Sequence, residues 1–287
     1  MQHPAVAIGV ALASAGCYAV AAVLQQREAS RDEADADAGG LTLFSRLLRR
    51  PRWWLAVSAT VVGALLHLVA LRFGPLTLVQ PLGVSALVLA LPLGAALAGR
   101  TVTRGEWAAA VAVALGLLGI LSMAPHHVRP PLVSDASLGI AVGGCAVVVA
   151  LLVLLGSRLP RPAGPVLRAA AAAVLFGMAS AMARLLVAGS STVVLAAATC
   201  AVAAVAGMVL IQTAYRDGGL GAPLATCTLV DPLSAAVLGI VLLGETVRVT
   251  PMDAMLGVIG LGLTVAGLTV LSRTAHQARR PTPEPAV

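Results

Sequence analysis

The sequence predicts an all-α membrane protein of nine transmembrane helices, arranged as two inverted four-helix repeats joined by one linking helix. Three observations carry that prediction. Hydrophobic residues make up 59% of the 287 and charged residues only 11%, with a mean hydropathy of +0.96, a balance that a water-exposed surface does not tolerate. The apolar residues gather into nine runs, each suited to cross about 30 Å of hydrocarbon as a helix of about 20 residues. Segments of the first half also recur in the second at a nearly constant separation.

The runs cover 4–25, 53–73, 76–98, 105–123, 136–156, 165–187, 192–214, 220–243 and 253–272, leaving no room for a soluble domain between them. The first is read as a retained helix, because "MQHP" supplies no basic region and the run is long for a cleaved signal. Between the first two runs lies a loop over 26–52. Its acidic stretch "EASRDEADAD" reads as solvated, and "LTLFSRLLRRPRWW" reads as a short basic interfacial helix feeding the second span. The tail "QARRPTPEPAV" is expected to be disordered.

Arginine sets the expected orientation. The chain has no lysine, and all 19 basic residues are Arg. If helix ends alternate sides, one side holds only Arg72, Arg129, Arg184 and Arg248, and the other holds the remaining fifteen. The positive-inside rule then puts the N-terminus outside and the C-terminal tail in the cytoplasm of a cell whose plasma membrane the chain spans. Trp53, Trp54 and Trp107 fall at the same ends, where an indole keeps its N–H wet and its ring in lipid. The net charge of +7 is therefore a topology signal: the expected partner is the lipid bilayer, with no nucleic acid.

Catalytic and cofactor signatures are missing from the sequence. Without lysine there is no Walker A loop. Neither HExxH nor GxSxG occurs, and no two carboxylates are spaced for paired acid and base work. Cys17, Cys145, Cys200 and Cys227 lie inside runs at separations unlike any metal or redox motif, and His126-His127 is a loop pair without further ligands. The expectation is no enzyme and no cofactor.

The internal repeat points to carriage. "HLVALRFG" at His67 parallels "QTAYRDGG" at Gln212, and "GRTVTRGEW" at Gly99 parallels "GETVRVTPMD" at Gly244. The offsets are 144 at Ala70/Ala214 and 145 at Gly99/Gly244. Upstream, "CYAVAAVLQQR" and "LFGMASAMAR" pair at 158, the excess matching the long first loop. Spans one to four thus match six to nine, and an offset of five spans inverts one half relative to the other, as in many secondary transporters. The divisions are 1–125 for the first repeat, 126–160 for the linker, 161–274 for the second repeat and 275–287 for the tail.

This layout, with "LLGETVRVT" closing the eighth span, resembles the drug/metabolite transporter superfamily and its EamA-type repeat. Trp53-Trp54, Gly63 and the "LVQPLGVS" run from Leu78 to Ser85 are similar to the NIPA-type magnesium transporters. The resemblance implies nine spans and carriage of magnesium or another divalent cation. Ala64 and His67 stand where that family commonly has an acidic residue and an asparagine, which removes a carboxylate that a hard dication would use.

The candidate site is "TCTLVDP" in the eighth run. Asp231 lies near mid-depth, where a carboxylate costs about 2.5–3.5 kcal/mol on insertion scales and needs a cavity or a partner. Pro232 frees the carbonyl of Thr228. With the hydroxyls of Thr226 and Thr228, the stretch is expected to offer several oxygens from a broken helix. Asp231 is the candidate cation ligand, and Gln212 and His67 are expected to line the same polar cavity. In a competing reading Asp231 pairs with Arg184 or is a hydrogen-bonded neutral acid. The similar "LVQPL" at Leu78 stands 151 residues from "LVDPL" at Leu229, so the two are not equivalent repeat positions.

The expected function is secondary transport by alternating access, of magnesium or another divalent cation. The alternatives are export of a small metabolite such as an amino acid or drug, and a membrane scaffold that transports nothing.

Overall fold

The computed structural model describes residues 4–31, 39–73, 82–83, 85–121, 135–159, 162–187, 193–243 and 250–277. Among them the regular structure is helical throughout, with no strand. The helices are α1 (Pro4–Ser30), α2 (Gly40–Leu47), α3 (Pro51–Phe73), α4 (Ser85–Leu97), α5 (Arg104–Leu121), α6 (Asp135–Arg158), α7 (Ala163–Val187), α8 (Val193–Gly218), α9 (Gly221–Leu243) and α10 (Pro251–Gln277). Seven of these, α1, α3 and α6 to α10, are long and apolar enough to cross a membrane. The protein is therefore an all-α, multi-pass membrane protein. Helix α4, with 13 described residues, is a shorter apolar helix, and α5 has 18 residues. His126-His127, Gln80-Pro81, Glu245, the tail from 278 and the side chains of Arg72 and Arg184 lie outside the described residues.

Local chemistry accounts for the helix ends. Prolines open α3 and α10, at a position where the missing N–H has no intrahelical partner to lose. Helix α4 stops at Gly99, whose φ of 68° lets Arg100 N–H reach the Ala95 carbonyl and Gly99 N–H the Ala96 carbonyl, a paired C-terminal closure. Gly219, with φ of 74°, ends α8 in the same left-handed region. Helices α5 and α10 both open on a capping box. Thr103 and Glu106 bond each other's backbone N–H at 3.2 and 2.9 Å, as Thr250 and Asp253 do at 3.2 and 3.0 Å.

The main pairings are α1 with α3, α7 with α8 and α9, and α5 with α10. The α5–α10 crossing is built from small residues. A Cβ added at Gly116 would overlap the Gly260 carbonyl oxygen, and one added at Gly260 would overlap that of Gly116. Gly119 and Gly267 sit similarly against the carbonyls of Leu256 and Ala109, each 2.6 Å from a notional Cβ. Without a hydrophobic driving force between lipid-bathed helices, such close backbone approach is what van der Waals attraction has to work with.

Several expectations need correction. The first helix runs five residues beyond 25 to Ser30, because its polar end is enclosed by protein. Glu28, read as part of a solvated acidic loop, is 3% exposed and ion-paired with Arg31 and Arg50. Trp53 is not a lipid anchor. It is 3% exposed, packed with Leu43 and Leu47 of α2 and edge-on to Phe44 at 5.6 Å, since the interfacial helix folds back over it. Trp54 is half exposed and donates its indole N–H to the Leu48 carbonyl at 2.9 Å. Pro232 does not break its helix: α9 is continuous from Gly221 to Leu243. Unwinding would strip several backbone groups of partners, whereas a proline removes one bond.

Candidate functional site

Asp231 is the eleventh of the 23 residues of α9, about 15 Å from one helix end and about 18 Å from the other at 1.5 Å per residue. Helix α7 backs it closely. A Cβ on Gly177 would lie 3.0 Å from the Asp231 carbonyl oxygen, 2.9 Å from Ala235 N and 2.6 Å from Ser234 Cβ, so only glycine lets α7 approach here. The carboxylate lies within electrostatic reach of the Tyr18 hydroxyl on α1 and of the Cys227 thiol one turn earlier on α9. Among the described residues it has no hydrogen bond and no ion pair.

Tyr18 is held by a second close approach. Its ring lies over Gly63 of α3, where a Cβ would stand 3.3 Å from Cδ1 and from Cδ2. The Ser14 hydroxyl, one turn away on α1, donates to the Gly63 carbonyl at 2.7 Å. His67, one turn beyond Gly63 on α3, is partly buried and has no hydrogen-bond partner among the described residues. Tyr18 is thus packed on α3 at Gly63, with His67 one turn further along that helix.

Other expected members do not join them. Thr226 and Thr228 donate their hydroxyls to the Ala222 and Leu224 carbonyls, each at 2.8 Å, so both protons are spent within α9. Thr226 is also five positions from Asp231, about 140° around the helix. Gln212 is fully buried but belongs to a different polar group. Its Nε2 donates to Gln25 Oε1 at 2.9 Å, Gln25 Nε2 donates to Thr60 Oγ1 at 3.1 Å, and Thr60 Oγ1 donates to the Ala56 carbonyl at 3.2 Å. This chain ties α8 to α1 and α1 to α3. Gln212 Oε1 has no partner among the described residues. Tyr18 and Gln25 are seven residues apart on α1, about 10 Å, so Gln212 bonds α1 about two turns along from Tyr18.

Beyond the glutamines lies an arginine-rich end. Arg50 Nη1 donates to the Glu28 carbonyl at 2.8 Å. Asp217 binds Arg168 at 2.6 Å and Arg216 at 3.0 Å. Ala29, Ala169 and Tyr215 pack together beneath these groups. Sequence reasoning passed over Tyr18, Gln25 and Thr60. A pair of glutamines closing an apolar run and one of only two tyrosines in the chain were the available signals.

The geometry defines a class: a multi-pass helical membrane protein with a carboxylate in the middle of an apolar helix that has no hydrogen bond or ion pair among the described residues. No family model matches the chain, and no solved structure matches it. A protein of Corynebacterium glutamicum, described as uncharacterized, is 30% identical over 285 residues, covering 96% of this chain and 97% of that one. The chain belongs to the same family as that protein across nearly its full length.

Proposed function

We propose that this chain is a secondary transporter that binds a cation at Asp231 and works by alternating access. The observation that carries the reading is the carboxylate itself, placed mid-span with no protein counter-charge among the described residues. A group that costs about 2.5–3.5 kcal/mol to bury is retained where a cargo supplies the missing charge.

The architecture proposed is nine spans in two inverted repeats, as in the drug/metabolite transporter superfamily, with α4 and α5 as the third and fourth. The reciprocal Gly116–Gly260 contact supports it. Those residues are 144 apart, the offset of the repeat, and a two-fold axis through the α5–α10 crossing would bring such equivalent residues face to face. The capping boxes are 147 apart, which brings α10 to the crossing almost one turn sooner than α5. Corresponding pairs also recur, with α1 on α3 matched by α7 on α8, and α1 on α4 by α7 on α9. The arginine bias supports an N-terminus outside and a tail in the cytoplasm, in a plasma-membrane protein.

In this reading the Gln212–Gln25–Thr60 chain closes the cytoplasmic side, and the halves rock about Asp231 to open it. Magnesium is the cargo that the NIPA resemblance implies. The test is uptake by the purified chain in liposomes, with Asp231→Asn beside the wild type. Equal uptake by both would remove Asp231 from the site. A second reading, a scaffold that transports nothing, is favoured by the separate packing of Gln212 against Gln25. It requires that no solute cross the reconstituted membrane at all.

A further inference from the structure

We propose that α2 is a latch, fixed to the first half of the chain, that grips α8 of the second half and holds the cytoplasmic side closed. The proposal rests on the reading of the chain as two halves that rock. One end of α2 is braced to the first half. The Arg49 and Arg50 N–H groups bond the Arg46 and Leu47 carbonyls, so the chain turns directly from α2 into α3. The Trp54 indole N–H of α3 donates to the Leu48 carbonyl at 2.9 Å, and Arg50 Nη1 donates to the Glu28 carbonyl of α1 at 2.8 Å. That end moves with α1 and α3. The other end reaches across, where a Cβ on Gly40 would lie 3.1 Å from Thr213 Cγ2 and 3.4 Å from Val209 Cγ1, both on α8. Between the two ends Leu43 and Leu47 are fully buried, packed with Phe44, Trp53 and Met208 of α8.

The grip falls beside the bond between the glutamines. Gln212 Nε2 donates to Met208 Sδ at 3.3 Å, Met208 packs against the α2 cluster, and Thr213 follows Gln212 directly. Parting the halves at Gln25 and Gln212 therefore also draws α2 off α8. The second half has no counterpart to this arm. Residues 31–50 separate α1 from α3, whereas only 188–192 separate α7 from α8. Two inverted halves of like structure close the two sides of the membrane about equally, and an element present on one side alone biases which side stays shut. The gripping side chains are apolar, so the latch lifts without stranding a charge or an unpaired backbone group.

The experiment uses the full chain in lipid nanodiscs, freed of its four native thiols and carrying Thr213→Cys, with labelling by a membrane-impermeant maleimide as the readout. Thr213 is 6% exposed, so labelling is expected to be slow. Adding Leu43→Ser should speed it about tenfold, the effect of taking one buried leucine out of the grip. Adding Leu41→Ser instead, at a residue 77% exposed, should leave the rate unchanged. Equal rates in all three chains overturn the latch. Should Leu43→Ser fail to fold, Gly40→Cys paired with Thr213→Cys carries the test. Those side chains are close enough for a disulfide, which should form on mild oxidation, block magnesium uptake in liposomes and release it on reduction. A pair that does not crosslink, or uptake that survives a complete crosslink, overturns the latch and leaves the transporter reading standing. No uptake by the reduced chain sinks that reading instead, and the labelling with the crosslink yield then decides alone whether α2 closes over α8.

Discussion

Gly116 and Gly260 meet backbone to backbone: each occupies the space that a side chain on the other's helix would need, and each faces the other's carbonyl oxygen. The contact is reciprocal although the residues are 144 positions apart. In the proposed architecture it is the pivot on which the two halves of the chain are joined.

Substituting either glycine should separate α5 from α10. Gly116→Val is expected to destabilise by about 1–3 kcal/mol, the usual cost of forcing bulk into a packed contact. Gly139→Val is the control, because nothing lies within 4 Å of a Cβ at Gly139. Thermal unfolding of the two variants in one lipid system compares them, and equal midpoints would refute the tight crossing.

The bond from Gln212 to Gln25 should be energetically coupled. A double-mutant cycle with Gln25→Ala and Gln212→Ala is expected to return about 0.6–1.7 kcal/mol, the range seen for hydrogen bonds inside membranes. A coupling of zero would mean that α8 and α1 are held by apolar packing alone. Cysteines at 25 and 212, in a chain freed of its four native thiols, should also crosslink and block uptake.

Asp231→Asn is expected to stabilise the protein while abolishing its transport. Removing a carboxylate that has no partner among the described residues should raise the unfolding free energy by about 1–3 kcal/mol near neutral pH. A structural aspartate with an unseen counter-charge would behave in the opposite way, losing stability on the same change. Unfolding and uptake measured on one preparation separate the two cases.

The termini should lie on opposite sides of the membrane. Reporter fusions that are active only in the cytoplasm are expected to work at the C-terminal tail and to fail at the N-terminus. The reverse pattern would invert the arginine argument, and signals of the same kind at both ends would require an even number of spans.

Much of the fold was legible because the membrane writes simple rules into a sequence. Runs such as 136–156 and 165–187 match α6 and α7 to within a turn or so at each end, since a helix is the only open segment that satisfies its backbone in lipid. The error at the end of α1 has a clear cause. Gln25 and Glu28 look like the end of a span when read alone, yet Thr60, Gln212, Arg31 and Arg50 enclose them. Trp53 misled for a similar reason, because nothing local tells whether α2 lies flat on lipid or folds over the indole.

The site divides along the same line. Asp231 could be singled out without coordinates, since a lone carboxylate in the middle of an apolar run is expensive wherever it points. Its surroundings could not, because the helix that backs it, α7, meets it at Gly177, 54 positions away. Composition, run length and the placement of arginine determined by themselves that the chain is helical and crosses the membrane many times. Tertiary structure alone decided that Gln212 bonds Gln25, that α9 stays continuous through Pro232, and that Gly116 faces Gly260. These depend on which helices touch, and between helices in lipid that choice rests on short-range fit, which leaves no periodic trace in the sequence.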